Sequence, residues 1–184
     1  MTPELHTPRL VLKALQIEDA EQIQRIFPQW EVVRYLNSSV PWPYPSNGAL
    51  GYCRDIAIPA IERGDEWHWT LRLKTAPNEL IGAICLNKGD RVNRGFWLAP
   101  PWQNQGLMTE AVVATNEYWF DDLGFEFLRV HKAVLNAASR RISEKTGMRL
   151  TGVEEHNFVS GKLLAEIWEI TADEWQAAKS RLHR

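Results

Sequence analysis

Residues 100–112 have the sequence P-P-W-Q-N-Q-G-L-M-T-E-A-V, in which a turn passes directly into a helix. The residues before it, 92–99, have the pattern of a strand, and apolar residues recur at helical spacing over residues 109–123. At such a junction the backbone N–H groups and the positive end of the helix dipole can hold a phosphate, and Gly106 lets a ligand approach the backbone closely. The turn contains neither the G-K-[ST] of a P-loop nor a dinucleotide fingerprint. By itself it is also compatible with a purely structural role.

A second junction of the same kind follows further along the chain. The sequence N-A-A-S at residues 136–139 comes after a strand predicted over residues 129–135 and begins a helix that ends at Gly147. If the two strands are adjacent and parallel, both helices begin at the same edge of the sheet and form a cleft open to a phosphorylated ligand. Asn and Ser are also favoured at helix N-caps. The sequence therefore leaves Ser139 open between a capping role and a chemical one.

The rest of the chain supplies strands and helices around these two junctions. Strands are predicted over residues 10–15, 66–73, 80–86, 148–156 and 163–171, and helices over residues 18–27 and 31–36, after Ser46, and from Ala172. Pro59 should kink or shorten the helix after Ser46. The three strands between residues 66 and 99 form an antiparallel meander. This order predicts an α+β fold in one domain that spans residues 1–184.

Composition excludes several classes of protein. The chain has 184 residues with 21 Lys and Arg against 23 Asp and Glu, so charge does not indicate a nucleic-acid partner. The two cysteines, Cys53 and Cys85, have no metal-binding spacing, which disfavours a cysteine-ligated zinc site and fits a reducing cytoplasm. We find no apolar stretch that could cross a membrane and no secretion signal, so we expect a cytoplasmic protein.

Taken together, the motifs resemble the GCN5-related N-acetyltransferase (GNAT) superfamily, and in particular its ribosomal-protein N-terminal acetyltransferase-like branch. The pieces that carry the resemblance are H-T-P-R-L-V-L at residues 6–12, V-P-W-P-Y-P at 40–45, I-G-A-I at 81–84, G-F-W-L at 95–98, residues 100–112, and N-A-A-S-R-R-I-S-E-K-T-G-M at 136–148. The resemblance implies the GNAT fold. In that fold a mixed, mostly antiparallel seven-stranded sheet is flanked by helices and splayed between its fourth and fifth strands.

The resemblance also implies acetyl-CoA as the co-substrate, with no metal. The cofactor-binding residues that it implies are Trp97, Leu98, Gln103, Asn104, Gln105, Gly106, Leu107, Met108, Asn136 and Ser139. Met108 departs from the small residue that the family usually has, and we expect its side chain to point away from the pyrophosphate. The backbone of Trp97 and Leu98 would pair with the pantetheine arm as an added strand does.

For catalysis we expect direct transfer of the acetyl group, without an acyl-enzyme. A backbone N–H near Leu98 would stabilise the oxyanion, and Ser139 would protonate the leaving thiolate. Many relatives have a glutamate at the position of Asn93, so the base is not assigned by resemblance. The candidates are Glu155 and His156, which face opposite sides of one strand, together with Glu66 and His68; water alone is the other alternative. For the acceptor site the sequence predicts Trp42 and Tyr44 on a proline-rich loop, and His68.

The predicted function is transfer of an acetyl group to a primary amine, with a protein N-terminus as the first acceptor class. A small-molecule amine is the alternative acceptor. A non-catalytic acyl-CoA-binding module is the alternative from another class, because the strand glutamate is missing and Met108 is unusual. The partners expected are acetyl-CoA and an amine acceptor. The sequence does not decide whether the protein is a monomer or a homodimer.

Overall fold

Two antiparallel sheets form the centre of the protein, shown here in a computed structural model that describes residues 1–89 and 92–182. The first sheet has five strands in chain order, β1 (Leu5–His6), β2 (Leu10–Ala14), β3 (Glu66–Leu73), β4 (Ala76–Asn87) and β5 (Arg94–Leu98). The second has three strands, β6 (Phe127–Ala133), β7 (Arg149–Phe158) and β8 (Gly161–Thr171), with β8 in the middle. This arrangement confirms the predicted α+β class.

The two sheets meet where β5 begins. The Asn93 N–H donates to the Arg129 carbonyl (2.8 Å), and the Arg129 N–H donates to the Asn93 side-chain oxygen (2.8 Å). Beyond this contact, no ladder joins β5 to β6 in the described ranges, and the strands separate toward Leu98 and Ala133. The predicted splay is confirmed here, because β5 and β6 are the fourth and fifth strands of the predicted set.

The predicted number of strands was wrong by one. Eight strands form two sheets among the described residues, where the sequence predicted seven strands in one sheet. The additional strand, β1, has only two residues, which pair with Leu12 and Val11 of β2. Two residues are too few to show the alternation from which a strand is predicted.

Seven α-helices pack against the sheets in the described part of the chain. They are α1 (Ala20–Ile26), α2 (Trp30–Val33), α3 (Gly48–Tyr52), α4 (Ile58–Arg63), α5 (Leu107–Glu117), α6 (Ala137–Lys145) and α7 (Ala172–Leu182). Asn47, rather than the predicted Ser46, precedes the first residue of α3. A π-helical turn at Cys53–Ala57 separates α3 from α4, which has Pro59 in its first turn, so the predicted interruption is found.

The core is divided between the two faces of the first sheet. Leu98 and the apolar face of α5 belong to one cluster, whereas Trp97 packs on another that includes Phe27 and Ala49. Neighbouring strand residues point to opposite faces, which is why Trp97 and Leu98 separate in this way. None of the helices in the described ranges is long and apolar enough to cross a membrane.

Candidate active site

A cavity of 560 Å³ occupies the gap between β5 and β6. The residues that line it come from α2 and the segment after it, β5, the turn before α5 and the start of α5, β6, α6 and the end of β7. Five cationic side chains and one carboxylate are among the lining residues that the structure describes. They are Arg34, Arg94, Lys132, Arg141 and Lys145, with Glu31. The protein has a formal net charge of −2, so this cavity is a local positive region suited to an anionic ligand.

The turn before α5 forms one end of the cavity. Gly106 (φ 78°) and Asn104 (φ 60°) both have left-handed backbone conformations, and Gly106 immediately precedes the helix. The Gln103 side-chain amide donates to the Leu98 carbonyl (2.8 Å), which ties the turn to the end of β5. The first N–H groups of α5 have no partner within the helix and can bind an anion.

Arg9, which the sequence did not single out, holds this turn from the other side. Its guanidinium donates to the Gln105 carbonyl (3.0 Å) and pairs with Glu110 in the first turn of α5 (2.8 Å). Burial alone would raise the pKa of Glu110, but hydrogen bonds from Thr7 and Arg9 lower it. Arg9 is about a hundred positions before Gln105 and Glu110 in the sequence, so no local pattern could reveal these contacts.

Gln105 and Met108 take different positions from the other residues of the predicted pyrophosphate loop. Gln105 is exposed and outside the cavity lining, and its side-chain amide donates to the Pro101 carbonyl (2.8 Å). Met108 borders the cavity but is buried in the core cluster under α5. The side chain of Met108 therefore leaves the turn itself open.

The edge of β5 that faces β6 offers backbone groups to the cavity. The Ala99 N–H donates to the Ile81 carbonyl on β4. Because backbone groups alternate between the two edges of a strand, the N–H groups of Leu98 and Phe96 point toward β6. The same alternation directs the backbone of Trp97 toward β4, and its ring packs edge-on against Phe27 (5.1 Å). An extended ligand in the gap would therefore pair with Leu98 and Phe96.

At the second junction the capping residue is Asn136, not Ser139. The Asn136 side-chain oxygen accepts a hydrogen bond from the Ser139 N–H (3.2 Å), and Ser139 is the third residue of α6. Both residues line the cavity, and Ser139 is buried. The interpretation of Ser139 as the cap was therefore wrong, because capping needs a side chain at the first non-helical position.

This geometry makes a stability prediction for Asn136. We expect Asn136→Ala to lower the free energy of unfolding of the cofactor-free protein by about 1 kcal/mol, because it removes the cap of α6. Ser139→Ala should change that free energy less, since the Ser139 N–H keeps its acceptor. Urea denaturation of both variants measures the difference. Equal losses would contradict the capping assignment.

The opposite wall of the cavity carries two histidines. His156 of β7 and His131 of β6 both line the cavity, with ring centroids 5.3 Å apart. Glu154 lies 3.7 Å from His131 Nδ1, and Asn37 lies 3.4 Å from His156 Nε2. The ligand-type atoms of His131, Glu154 and His156 are within 4.8 Å of one another, and the expectation of a site without metal stays a prediction. His131 was missed because its strand neighbours gave no signal of a cleft.

Of the paired candidates on β7, the structure brings only His156 to the cavity. Glu155 points to the other side of the strand, where it is exposed and pairs with Lys162 (2.5 Å). The two residues therefore lie on opposite sides of β7, as strand alternation predicts.

The three residues predicted for the acceptor lie outside the cavity lining. Tyr44 packs edge-on against Phe27 (5.0 Å), and burial raises the pKa of Tyr44 to about 12. Trp42 is half-exposed beside Trp30 (5.5 Å). His68 is buried in β3 and pairs with Glu66 (2.5 Å), which keeps these two candidate bases together and away from the cavity.

The contacts of Asn93 show why this chain has an amide where many relatives have a glutamate. Its side chain is buried, accepts from the Arg129 N–H, and donates to the carbonyls of Asn87 (3.2 Å) and Gly89 (2.6 Å). An amide has both the donor and the acceptor that these contacts need, and an ionised carboxylate has only acceptors. Asn93 therefore joins the two sheets.

Comparisons with known proteins agree with this geometry. The sequence profile described as Acetyltransferase (GNAT) domain matches residues 9–149. The chain is 30% identical over 103 residues to YdaF of Bacillus subtilis (strain 168), provisionally named a ribosomal N-acetyltransferase, and the match spans 49% of this chain and 56% of that protein. It is 29% identical over 158 residues to the uncharacterized N-acetyltransferase YoaA of the same strain, spanning 83% and 86%.

A solved structure extends the agreement to the whole fold. RimL, a ribosomal L7/L12 α-N-protein acetyltransferase in complex with coenzyme A, superposes with a TM-score of 0.78. The superposition covers 94% of this chain and 99% of that chain, at 15% identity. The sequence profile confirms the resemblance, and the superposition confirms the fold, that were predicted from the sequence.

Proposed function

Because the chain belongs to the GNAT acetyltransferase family, we propose that it transfers the acetyl group of acetyl-CoA to the α-amine of a protein N-terminus. The predicted class of enzyme, an acetyl-CoA-dependent acetyltransferase, is confirmed at the level of the family, whose profile covers residues 9–149. The acceptor and the roles of individual residues are the proposal.

One observation carries the proposal: a single cavity joins an anion-binding turn to a pair of histidines. The turn before α5 and the start of α6 lie at one end, and His131 and His156 lie on the wall formed by β6 and β7. A CoA thioester that binds its pyrophosphate at the turn can place its pantetheine arm along the free edge of β5. The acceptor amine would then approach from the histidine wall.

The chain's own groups suffice for direct transfer in this arrangement. A neutral amine attacks the thioester carbonyl, and its proton goes to His156, directly or through a water. The Leu98 N–H stabilises the oxyanion, since it faces the gap. Ser139 then donates a proton to the leaving thiolate. The histidines provide the base that Asn93 does not, which removes one argument for a module without catalysis.

Two features suit an amine acceptor on this side of the cavity, and the names of two relatives favour a protein N-terminus. The segment after α2 borders the cavity and is fixed to the end of β7 by backbone hydrogen bonds, including Ser38 N–H to the Asn157 carbonyl (3.1 Å) and Val159 N–H to the Leu36 carbonyl (2.9 Å). Glu31, the carboxylate on this side, is exposed and can attract an ammonium group. The names of YdaF and RimL support the same acceptor class.

The test combines calorimetry with an assay of thiol release. We expect acetyl-CoA to bind and to raise the melting temperature, because it binds only the folded state. N-terminal peptides should release thiol faster than small amines, and an N-terminally blocked peptide should release none. Absence of acetyl-CoA binding at millimolar concentration would overturn the proposal. Thiol release with small amines alone would mean that the acceptor is a small amine and not a protein N-terminus.

The cytoplasmic location and the choice between monomer and homodimer stay predictions.

The assignment of His156 as the base is tested by two single substitutions at neighbouring positions of β7. We expect His156→Gln to lower turnover about tenfold, below the usual range for loss of a general base, because His131 remains beside the acceptor. Glu155→Gln, the matched change on the outer face of the same strand, should leave turnover within a factor of two. Initial rates at saturating acetyl-CoA compare them. A larger effect of Glu155→Gln would show that the wrong face of β7 was chosen.

A further inference from the structure

Two buried cations lie at the closed end of the cavity, where β5 and β6 meet. Lys132 is 6% exposed and Arg94 is 3% exposed, and both line the cavity. The Lys132 ammonium lies over the Phe96 ring, 4.4 Å from its centroid. Strand alternation places all three side chains on the face of the sheets that α5 covers. The cations therefore sit deeper in the gap than Leu98 does.

Neither cation is paired with a carboxylate in the part of the chain that the structure describes. Arg94 donates to the Asn116 side-chain oxygen (2.6 Å) and contacts the Met148 sulfur (3.5 Å). Glu166 is opposite Lys132 in the β6–β8 register, but its carboxylate accepts from Arg140 (2.7 Å) and Trp168 (2.9 Å). Glu166 thus pairs with Arg140 and not with Lys132.

Unpaired hydrogen-bond donors around Arg94 are a second, independent indication that an anion binds here. The Arg94 Nε–H and the Asn116 amide nitrogen are buried and have no hydrogen-bond partner among the described residues. Buried donors are normally paired, and a buried charge is stable only when it is paired. Burial, with the Arg94 charge nearby, lowers the pKa of Lys132 well below its usual value. All of these groups would be satisfied by an anion.

The position of the cations identifies which part of a CoA ligand could supply that anion. The pyrophosphate end of the ligand belongs at the turn before α5, and the arm runs from there along β5 toward its start. From Leu98 to Arg94 the strand spans about 13 Å at the usual rise per residue. A thioester whose carbonyl oxygen lies at the Leu98 N–H therefore directs its acyl group past Phe96 toward Lys132 and Arg94.

We propose that this closed end of the cavity recognises an acyl group that carries a terminal carboxylate, so that the enzyme also uses the CoA thioester of a short dicarboxylic acid. An acetyl group ends in a methyl group and offers neither cation an anionic partner. A carboxylate separated from the thioester carbonyl by two methylene groups would pair with Lys132. The inference rests on the proposed function, because it concerns the donor of the same transfer.

The chemistry of transfer is unchanged with such a donor. The amine nitrogen forms a bond to the thioester carbonyl carbon, and the carbon–sulfur bond breaks. The amine proton goes to the base, the thiolate leaves as the CoA thiol, and the terminal carboxylate takes no part in bond changes. The product is an amide whose former amine charge is replaced by a carboxylate.

Succinyl-CoA and butyryl-CoA provide the test, since both have four acyl carbons and differ in the terminal group. With the wild-type protein and one acceptor peptide, we expect kcat/KM for succinyl-CoA to exceed that for butyryl-CoA at least tenfold. Lys132→Met should reduce this ratio at least tenfold, with a smaller loss of kcat/KM for acetyl-CoA than for succinyl-CoA. Lys74→Met, an exposed lysine outside the cavity, is the matched control and should leave the ratio unchanged.

The outcomes separate this inference from the proposed function. Transfer from acetyl-CoA without any preference for succinyl-CoA over butyryl-CoA overturns the inference alone. Equal loss with all three donors in Lys132→Met also overturns it, because it would show a general electrostatic role. Failure to bind acetyl-CoA overturns the proposed function. Calorimetric titration of the wild-type protein with succinyl-CoA and butyryl-CoA compares the two donors without depending on the folding of any variant, and equal affinities would count against the inference.

Discussion

Gly106→Glu should abolish acetyl-CoA binding while the protein stays folded. Gly106 is exposed, and a Cβ there would meet only Arg9 Nη2, at 3.5 Å. The left-handed conformation (φ 78°) makes any other residue cost about 1–2 kcal/mol, which a typical folded domain tolerates. A glutamate about 4 Å from a phosphate would be repelled by about 4 kcal/mol near a protein surface, which weakens binding by more than a hundredfold.

A second glycine provides the control for strain and charge. Gly124 has a similar conformation (φ 71°), no atom within 4 Å of the position that a Cβ would take, and no part in the cavity lining. Gly124→Glu should therefore match Gly106→Glu in stability and keep the affinity of the wild-type protein. Isothermal calorimetry measures binding and circular dichroism checks folding. Unchanged affinity in a folded Gly106→Glu variant would mean that the turn has only a structural role.

Local patterns predicted the parts of the fold that short segments determine. The meander of β3, β4 and β5 follows from alternation and turns, and the positive φ angles of Gly124 and Gly147 agree with their predicted places at helix ends. The turn around Gly106 was found for the same reason. Its brace by Arg9 was not, because the contact with Gln105 joins residues far apart in sequence.

The acceptor side was predicted less well, because burial and function favour the same residue types. Tyr44 on its proline-rich loop was assigned to the acceptor, yet it packs against Phe27, the ring that Trp97 also contacts. His131 and Lys132 were not singled out, although strand alternation alone places them on opposite faces of β6. Which face meets the cavity depends on how far β5 and β6 separate. The contact between Asn93 and Arg129 joins the two strands at one end, and no sequence pattern reports it.

Capping shows a similar limit at a smaller scale. N-A-A-S offers two residues that are both favoured at an N-cap, and residue types cannot distinguish them. The backbone decides: Asn136 has a non-helical conformation, and Ser139 lies within α6. Once Asn136 takes the capping role, the buried hydroxyl of Ser139 at the cavity has no capping function. The capping role thus belongs to Asn136, and the chemical role of Ser139 stays a prediction.

Ser139→Ala should therefore lower turnover about 10- to 1000-fold, within or just below the usual range for loss of a general acid. The affinity for acetyl-CoA should stay within a few-fold, since only the hydroxyl is removed. The free energy of unfolding should change little, because the Ser139 N–H still donates to Asn136 and alanine favours a helix. Rates at saturating acetyl-CoA, with binding measured separately, test all three expectations.

Ser143→Ala is the matched control, and Ser139→Asp sharpens the test. Ser143 is one turn further along α6, is fully buried and does not line the cavity, so its loss should leave turnover unchanged. Aspartate in the first turn of a helix is compatible with the helix dipole, but when ionised it cannot donate a proton and repels the thiolate. We expect Ser139→Asp to fold and to be inactive. A folded and active Ser139→Asp variant would instead assign the proton to water, because an ionised aspartate leaves no acid at that position.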